Sequence, residues 1–164
     1  MAGIGVPAIG RLLQRGIQPS LSVDSETAAP GDMFSQMRAA LAVERLLANN
    51  HLQPDRAAPS IGPDDVLRFA TLEGARAAGL DGRTGSLSPG KQADVILLRG
   101  DALNLAPLSD PVGAVVMTAH PGNVDTVMVN GQVLKRSGRL VGQELPRVLQ
   151  LAQDSRDYLL QSPH

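Results

Sequence analysis

The sequence predicts an α/β fold in three successive parts: a βα unit with following helices (residues 1–80), a β-rich module (81–143) and a terminal helix (144–164). Three observations carry this. Leu21 and Val23 alternate with Ser20, Ser22 and Asp24, which is the period of a strand, directly ahead of a helical stretch. Asn130-Gly131 stands between two β-rich runs, the preferred pair for a tight hairpin. Residues 144–161 then return apolar residues at helical spacing.

Taken in order, residues 4–16 place Ile9, Leu12 and Leu13 at helical spacing, with Gly16 as the closing cap. The alternating segment that follows ends in the carboxylate of Asp24, and residues 25–31 read as a loop. Asp32 is a suitable N-cap for a helix over 32–48, whose buried stripe includes Met33, Met37, Leu41 and Leu47 and which Asn49-Asn50 ends. Residues 51–63, rich in Pro and poor in periodic apolar residues, read as a mobile loop. Residues 64–80 predict two short helices, Asp64 and Asp65 favouring the first N-terminus and Thr71 placed to cap the second. From Leu80 the chain turns to short strands and tight turns, interrupted by a short helix over 110–119. The tail offers Leu145, Val148, Leu149, Ala152 and Leu159 as a buried helical face.

Composition excludes several function classes. The 164 residues suffice for a real core, and with 43% hydrophobic residues in no long apolar run, no membrane association is expected. Fifteen Lys and Arg against 16 Asp and Glu leave no basic face; Lys135, Arg136 and Arg139 cluster only at an expected hairpin end. Two Phe, one Tyr and no Trp provide no platform for stacking bases, so no nucleic-acid partner is expected. The lack of Cys excludes disulfides, thiolate metal sites and a Cys nucleophile, and fits the expected cytoplasmic location. Residues 1–10 carry neither a basic segment nor a continuous apolar core, so no signal peptide is expected.

Asp24 is the first candidate for chemistry. It closes a predicted strand with two small residues, Ser20 and Ser22, beneath it on the same face, where bulky branched residues would fill a purely structural barrel layer. Two readings stand: a catalytic carboxylate where βα loops converge, or a cap for the turn that follows. The three histidines, His51, His120 and His164, have neither H-x-H nor H-E-x-x-H spacing, and His120 reads as a turn residue. GSLSPG is not a nucleophile elbow, and GIGVPAIG lacks the strand a dinucleotide fingerprint needs. Asp64, Asp65, Asp154 and Asp157 read as helix-surface charges.

The stretch GVPAIGRLLQRGIQPSLSVDSETAAPGDMFSQMRAAL resembles the last barrel unit of the amidohydrolase superfamily, in the branch of the cytosine, adenosine-type and guanine-type deaminases and the triazine chlorohydrolases. TLEGARAAGL, GSLSPGKQADVILL and VDTVMVNGQVL resemble the closing segments of that family, GSLSPGKQADVILL being the most diagnostic. The resemblance implies the final βα unit of a TIM barrel over 1–80, the C-terminal part of a small β-sandwich over 81–143 and a C-terminal helix. It also implies that Asp24 is both a ligand of a divalent zinc or iron ion and the group that moves protons between metal-bound water and substrate. Ser22 stands where the family commonly has Gly.

By the same resemblance the other metal ligands come from an H-x-H motif and from single histidines after earlier strands, none of which has a counterpart in these residues. One carboxylate cannot hold a catalytic zinc, which takes three protein ligands and an open position. The chain is therefore expected to be the C-terminal part of a hydrolase of C–N bonds in a small heterocyclic or amide substrate, inactive by itself and without stably bound metal. The alternative is a non-catalytic, self-associating interaction module derived from that fold. Under either reading a homo-oligomer or a complementing N-terminal segment is expected as partner. The helices over 4–16 and 32–48 would otherwise bare apolar faces, unless they repack on the β segments.

Overall fold

The computed structural model describes residues 7–27, 29–49 and 61–161. Its elements are α1 (Ile9–Leu13), α2 (Met33–Asn49), α3 (Pro63–Ala70), α4 (Leu72–Ala77), β1 (Val95–Leu98), α5 (Pro111–Met117), a 3-10 turn (Pro121–Asn123), β2 (Val124–Val129), β3 (Gln132–Arg136), β4 (Arg139–Leu140) and α6 (Leu145–Gln161). The result is a mixed α/β arrangement of helices beside one four-stranded antiparallel sheet, ordered β1-β2-β3-β4.

Local chemistry explains most of the boundaries. Asp32 opens α2, its carboxylate accepting the Ser35 backbone N–H and the Ser35 hydroxyl, both at 2.8 Å. Pro63 sits in the first turn of α3, where no N–H is needed, and the Asp65 carboxylate accepts the Gly62 N–H at 2.8 Å. Asp110 caps α5 through the Gly113 N–H. Asn130 (φ 50°) and Gly131 (φ 78°) both take positive φ, the type I′ requirement, and join β2 to β3 in two residues. Ser137 and Gly138 repeat the pattern between β3 and β4, where Lys135, Arg136 and Arg139 sit.

The buried core takes residues from both sides of residue 80. Met37, Leu41, Val66, Phe69, Val116, Ala119 and Val124 form one cluster, with Val66, Val116 and Ala119 completely buried. The stripe of α2 (Phe34, Met37, Ala40, Leu41, Glu44, Leu47) is covered because α3 and α5 pack against it. Arg38 ties α2 to the end of α5 by donating to the Ala119 carbonyl at 2.6 Å. Below α3, the nearly buried Glu73 carboxylate receives Arg68 Nε at 2.8 Å and Arg76 Nη1 at 2.7 Å, so its charge is paired where it leaves water.

The structure corrects several expectations. Residues 20–24 form no strand, because among the described residues no neighbouring strand offers them a ladder; Leu21 makes a single bond, N–H to the Phe69 carbonyl at 3.3 Å. Residues 4–6 of the expected first helix lie outside the described residues; among the described ones it is Ile9–Leu13, and Gly16 follows it with its N–H on the Leu13 carbonyl as a closing turn does. Thr71 stands at the N-cap position of α4 as expected, but its side chain makes no capping bond; its hydroxyl turns back to the Leu67 carbonyl at 2.7 Å, inside the preceding helix. Residues 84–94, by contrast, are turns that deliver the chain into β1 as expected, and Lys91 fixes them by donating to the Asp81 and Thr84 carbonyls. The tail is a helix as predicted, but none of Leu145, Val148, Leu149, Ala152 and Leu159 is buried, since among the described residues no element packs closely on it. The proposed loop over 51–63 lies mostly outside the described residues, as do Asn50, His51 and His164.

Two substitutions separate the packed from the unpacked part. Leu41→Ala should lower unfolding free energy by about 2–5 kcal/mol in chemical denaturation, because it opens a void where no solvent enters. Leu159→Ser in α6, 67% exposed, should leave it within about 0.5 kcal/mol of the parent.

Candidate functional site

The segment from Pro19 to Asp32 carries the candidate chemistry. Although it is not a strand, its side chains keep the alternation that the sequence predicts. Leu21 and Val23 are half-buried, Leu21 against the core, while Ser20, Ser22 and Asp24 are exposed. Pro19 is buried and the Leu21–Phe69 bond fastens the segment to the end of α3.

Asp24 then departs from ordinary geometry. Its φ is +62°, the left-handed region that costs a non-glycine residue about 1–2 kcal/mol. The Ser25 N–H donates to the Val23 carbonyl at 2.9 Å across it, which is the hydrogen-bond pattern of a γ-turn, with the positive central φ of the rarer form. The Asp24 N–H donates to Ser22 Oγ at 3.1 Å, so two hydrogen bonds close around this one residue. Strain of this kind is found where function fixes a side chain.

The loop beyond is ordered by its own side chains. Ser25 Oγ and Thr27 Oγ1 share a hydrogen bond at 2.7 Å, and the Ala29 N–H reaches the Ser25 carbonyl. Glu26 folds back over Gly31, where an added Cβ would lie 2.7 Å from its Oε1, so a side chain at that position would displace the end of Glu26. At Asp32, partial burial raises the carboxyl pKa. The Ser35 N–H and hydroxyl, the Arg38 guanidinium and the Phe34 N–H outweigh it and hold the group below its ordinary value.

The other sequence candidates fall elsewhere. His120 is a turn residue: its Nδ1 accepts the Gly122 N–H at 3.1 Å, while its own N–H donates to Asn123 Oδ1 at 3.0 Å. Asp64 and Asp65 lie in the first turn of α3, and Asp154 and Asp157 are exposed on α6. No cluster of three or more His, Cys, Asp or Glu side chains that could hold a metal exists among the described residues. By its donor chemistry, Asp24 fits one position of a divalent-metal shell and no more. No helix among the described residues is long and apolar enough to cross a membrane.

Sequence reasoning missed the Ser22–Asp24 bond and the turn it closes. A serine two residues ahead of an aspartate is the only local signal for it. An open groove of about 720 Å³ beside α4 and β1 was also not foreseen; it is mostly apolar, lined by Leu21, Met33, Leu67, Leu80 and Ile96 among others, and excludes Asp24.

The family model described as Amidohydrolase family matches residues 2–134. The 5'-deoxyadenosine deaminase of Methanothermobacter thermautotrophicus is 38% identical over 150 residues, 91% of this chain and 33% of that protein. The 5-methylthioadenosine/S-adenosylhomocysteine deaminase of Acetivibrio thermocellus is 33% identical over 139 residues, 84% of this chain and 31% of that protein. Among solved structures, an adenosine deaminase from Xanthomonas campestris with bound zinc superposes with a TM-score of 0.80 at 28% identity, covering 92% of this chain and 33% of the other. An atrazine chlorohydrolase from Arthrobacter aurescens TC1 complexed with zinc gives 0.75 at 25% identity, covering 93% and 32%. The chain thus spans about a third of the length of the relatives it matches.

Two measurements test this geometry. Asp32→Ala should destabilise by about 1 kcal/mol at neutral pH through loss of the cap. Because the folded carboxyl titrates below its unfolded value of about 3.9, its contribution is present above that pH and lost as pH falls through the folded pKa. Denaturation curves of variant and parent should therefore converge in acid. Asp24→Gly should stabilise the chain by up to about 1 kcal/mol in the same assay, since glycine takes a positive φ without strain.

Proposed function

The chain belongs to the amidohydrolase family, and we propose that it is the C-terminal part of a metal-dependent hydrolase of C–N bonds, acting on a small heterocyclic substrate of the adenosine type. Asp24 is its one metal ligand within this chain. The observation that supports the residue assignment is the exposed carboxylate held on a strained, doubly hydrogen-bonded turn at the end of an alternating segment. The relatives that cover most of this chain are named as deaminases, which supports the reaction class.

A divalent ion bound there, zinc or iron, would supply a water whose pKa is lowered to about 7. Asp24 would hold one coordination position, accept a proton at a carboxylate oxygen and return it to the departing nitrogen. Pro19, Leu21 and the α3 end keep the turn at a fixed depth, and the Ser25–Thr27 pair and Glu26 order the adjoining wall. The remaining ligands that this chemistry needs have no counterpart among the described residues, so the chain by itself has no turnover and holds metal only weakly.

The same reading divides the chain into the end of a barrel (1–80), β-sandwich strands (81–143) and a C-terminal helix, in a cytoplasmic protein. It also includes a partner, either a second copy or a segment completing the barrel. The half-exposed Val148, Leu149 and Leu151 of α6 and the apolar groove beside α4 support that inclusion.

A chimera tests the proposal. This chain would replace the matching third of the Methanothermobacter deaminase, and zinc content and ammonia release from 5'-deoxyadenosine would be measured. The expected result is a zinc-loaded deaminase whose kcat falls roughly 10²–10⁴-fold on Asp24→Asn, the range for loss of a positioned proton-transfer group. A folded chimera whose zinc content and kcat are indifferent to Asp24→Asn would overturn the assignment.

A further inference from the structure

We propose that Ser22 is a positioning residue for Asp24: its hydroxyl holds the left-handed turn that presents the Asp24 carboxylate. This deepens the metal-ligand reading above and rests on it for its functional half. Three facts converge on Ser22. The Asp24 N–H, which the turn itself leaves unused, is bound by Ser22 Oγ at 3.1 Å. The backbone at Asp24 has a φ of +62°, where an aspartate stays only when its surroundings determine it. The neighbouring hydroxyl of Ser25 is engaged with Thr27 and belongs to the wall of the loop, which leaves the Ser22 hydroxyl on this amide.

A hydroxyl–amide hydrogen bond and the left-handed penalty are of the same order. Removing the bond is therefore enough to shift the population at Asp24 toward ordinary extended backbone. The shift moves the carboxylate and leaves the core intact, since Ser22 is exposed and its neighbour Leu21 carries the packing on the core. Threonine keeps the hydroxyl at the same atom position on the chain; alanine removes it with little change in volume.

The test begins with the full chain in solution. Three-bond couplings report φ at Asp24, and amide exchange reports the Asp24 and Ser25 N–H groups, with no metal needed. Ser22→Ala should abolish the positive-φ couplings and speed Asp24 amide exchange about tenfold, while Ser22→Thr should stay within about twofold of the parent. The chimera supplies the second readout: Ser22→Ala should lower kcat several-fold with KM within about twofold, and Ser22→Thr should restore it. A parent-like φ and exchange rate in Ser22→Ala would overturn the proposal. So would a lost φ accompanied by unchanged kcat. Failure of the metal-ligand reading is recognised separately, because it shows as indifference to Asp24→Asn whatever Ser22 does.

Discussion

The structure depends on the burial of Val66 and Phe69 of α3 between α2 and α5. These side chains leave water because helices from opposite sides of the β1 strand meet there, and the apolar area removed is what sets the three helices against one another. The Asp24 segment inherits its position from this contact. Its backbone is joined to the chain end of α3 by the Leu21 N–H and Phe69 carbonyl, so displacement of Phe69 would carry the loop with it. Arg38 completes the arrangement by satisfying a carbonyl at the end of α5 that the helix itself leaves unpaired.

Features that a few neighbouring residues decide were legible in the sequence. The Asp32 cap, the Asn130-Gly131 turn, the two short helices after Gly62 and the helix after Asp110 all follow from side chains within one turn of the boundary. What could not be read depends on distant partners. The period of Ser20 to Asp24 gave the right exposed and half-buried sides, yet a strand also needs a ladder, and ladders are made by other segments. Thr71 had two legitimate hydrogen-bond directions, and only the packing of α3 against α4 selected the backward one. The apolar face of α6 was readable, whereas its coverage was not, since amphipathicity states a preference and supplies no neighbour.

The candidate site divides along the same line. Asp24 could be singled out from position and resemblance, but not its conformation. Positive φ at a non-glycine residue has no compositional mark; it arises because Val23, Ser22 and Ser25 offer hydrogen bonds that favour it together. Membership of the amidohydrolase family gives that conformation a chemical context. A ligand fixed before metal arrives loses little freedom on binding, and that reduces the entropic penalty of coordination.

The sheet has a consequence for the order of folding. Strands β2, β3 and β4 follow one another through two-residue turns, so their pairing closes loops of minimal length. Such hairpins form in microseconds and need nothing from the helices. Strand β1 instead joins β2 across residues 99–123, a span that contains α5 and the core residues Leu105, Val116 and Ala119. The meander can therefore be complete early, and docking of β1 reports the moment at which α5 finds α2 and α3. The last edge of the sheet to close and the core of the protein become one kinetic event.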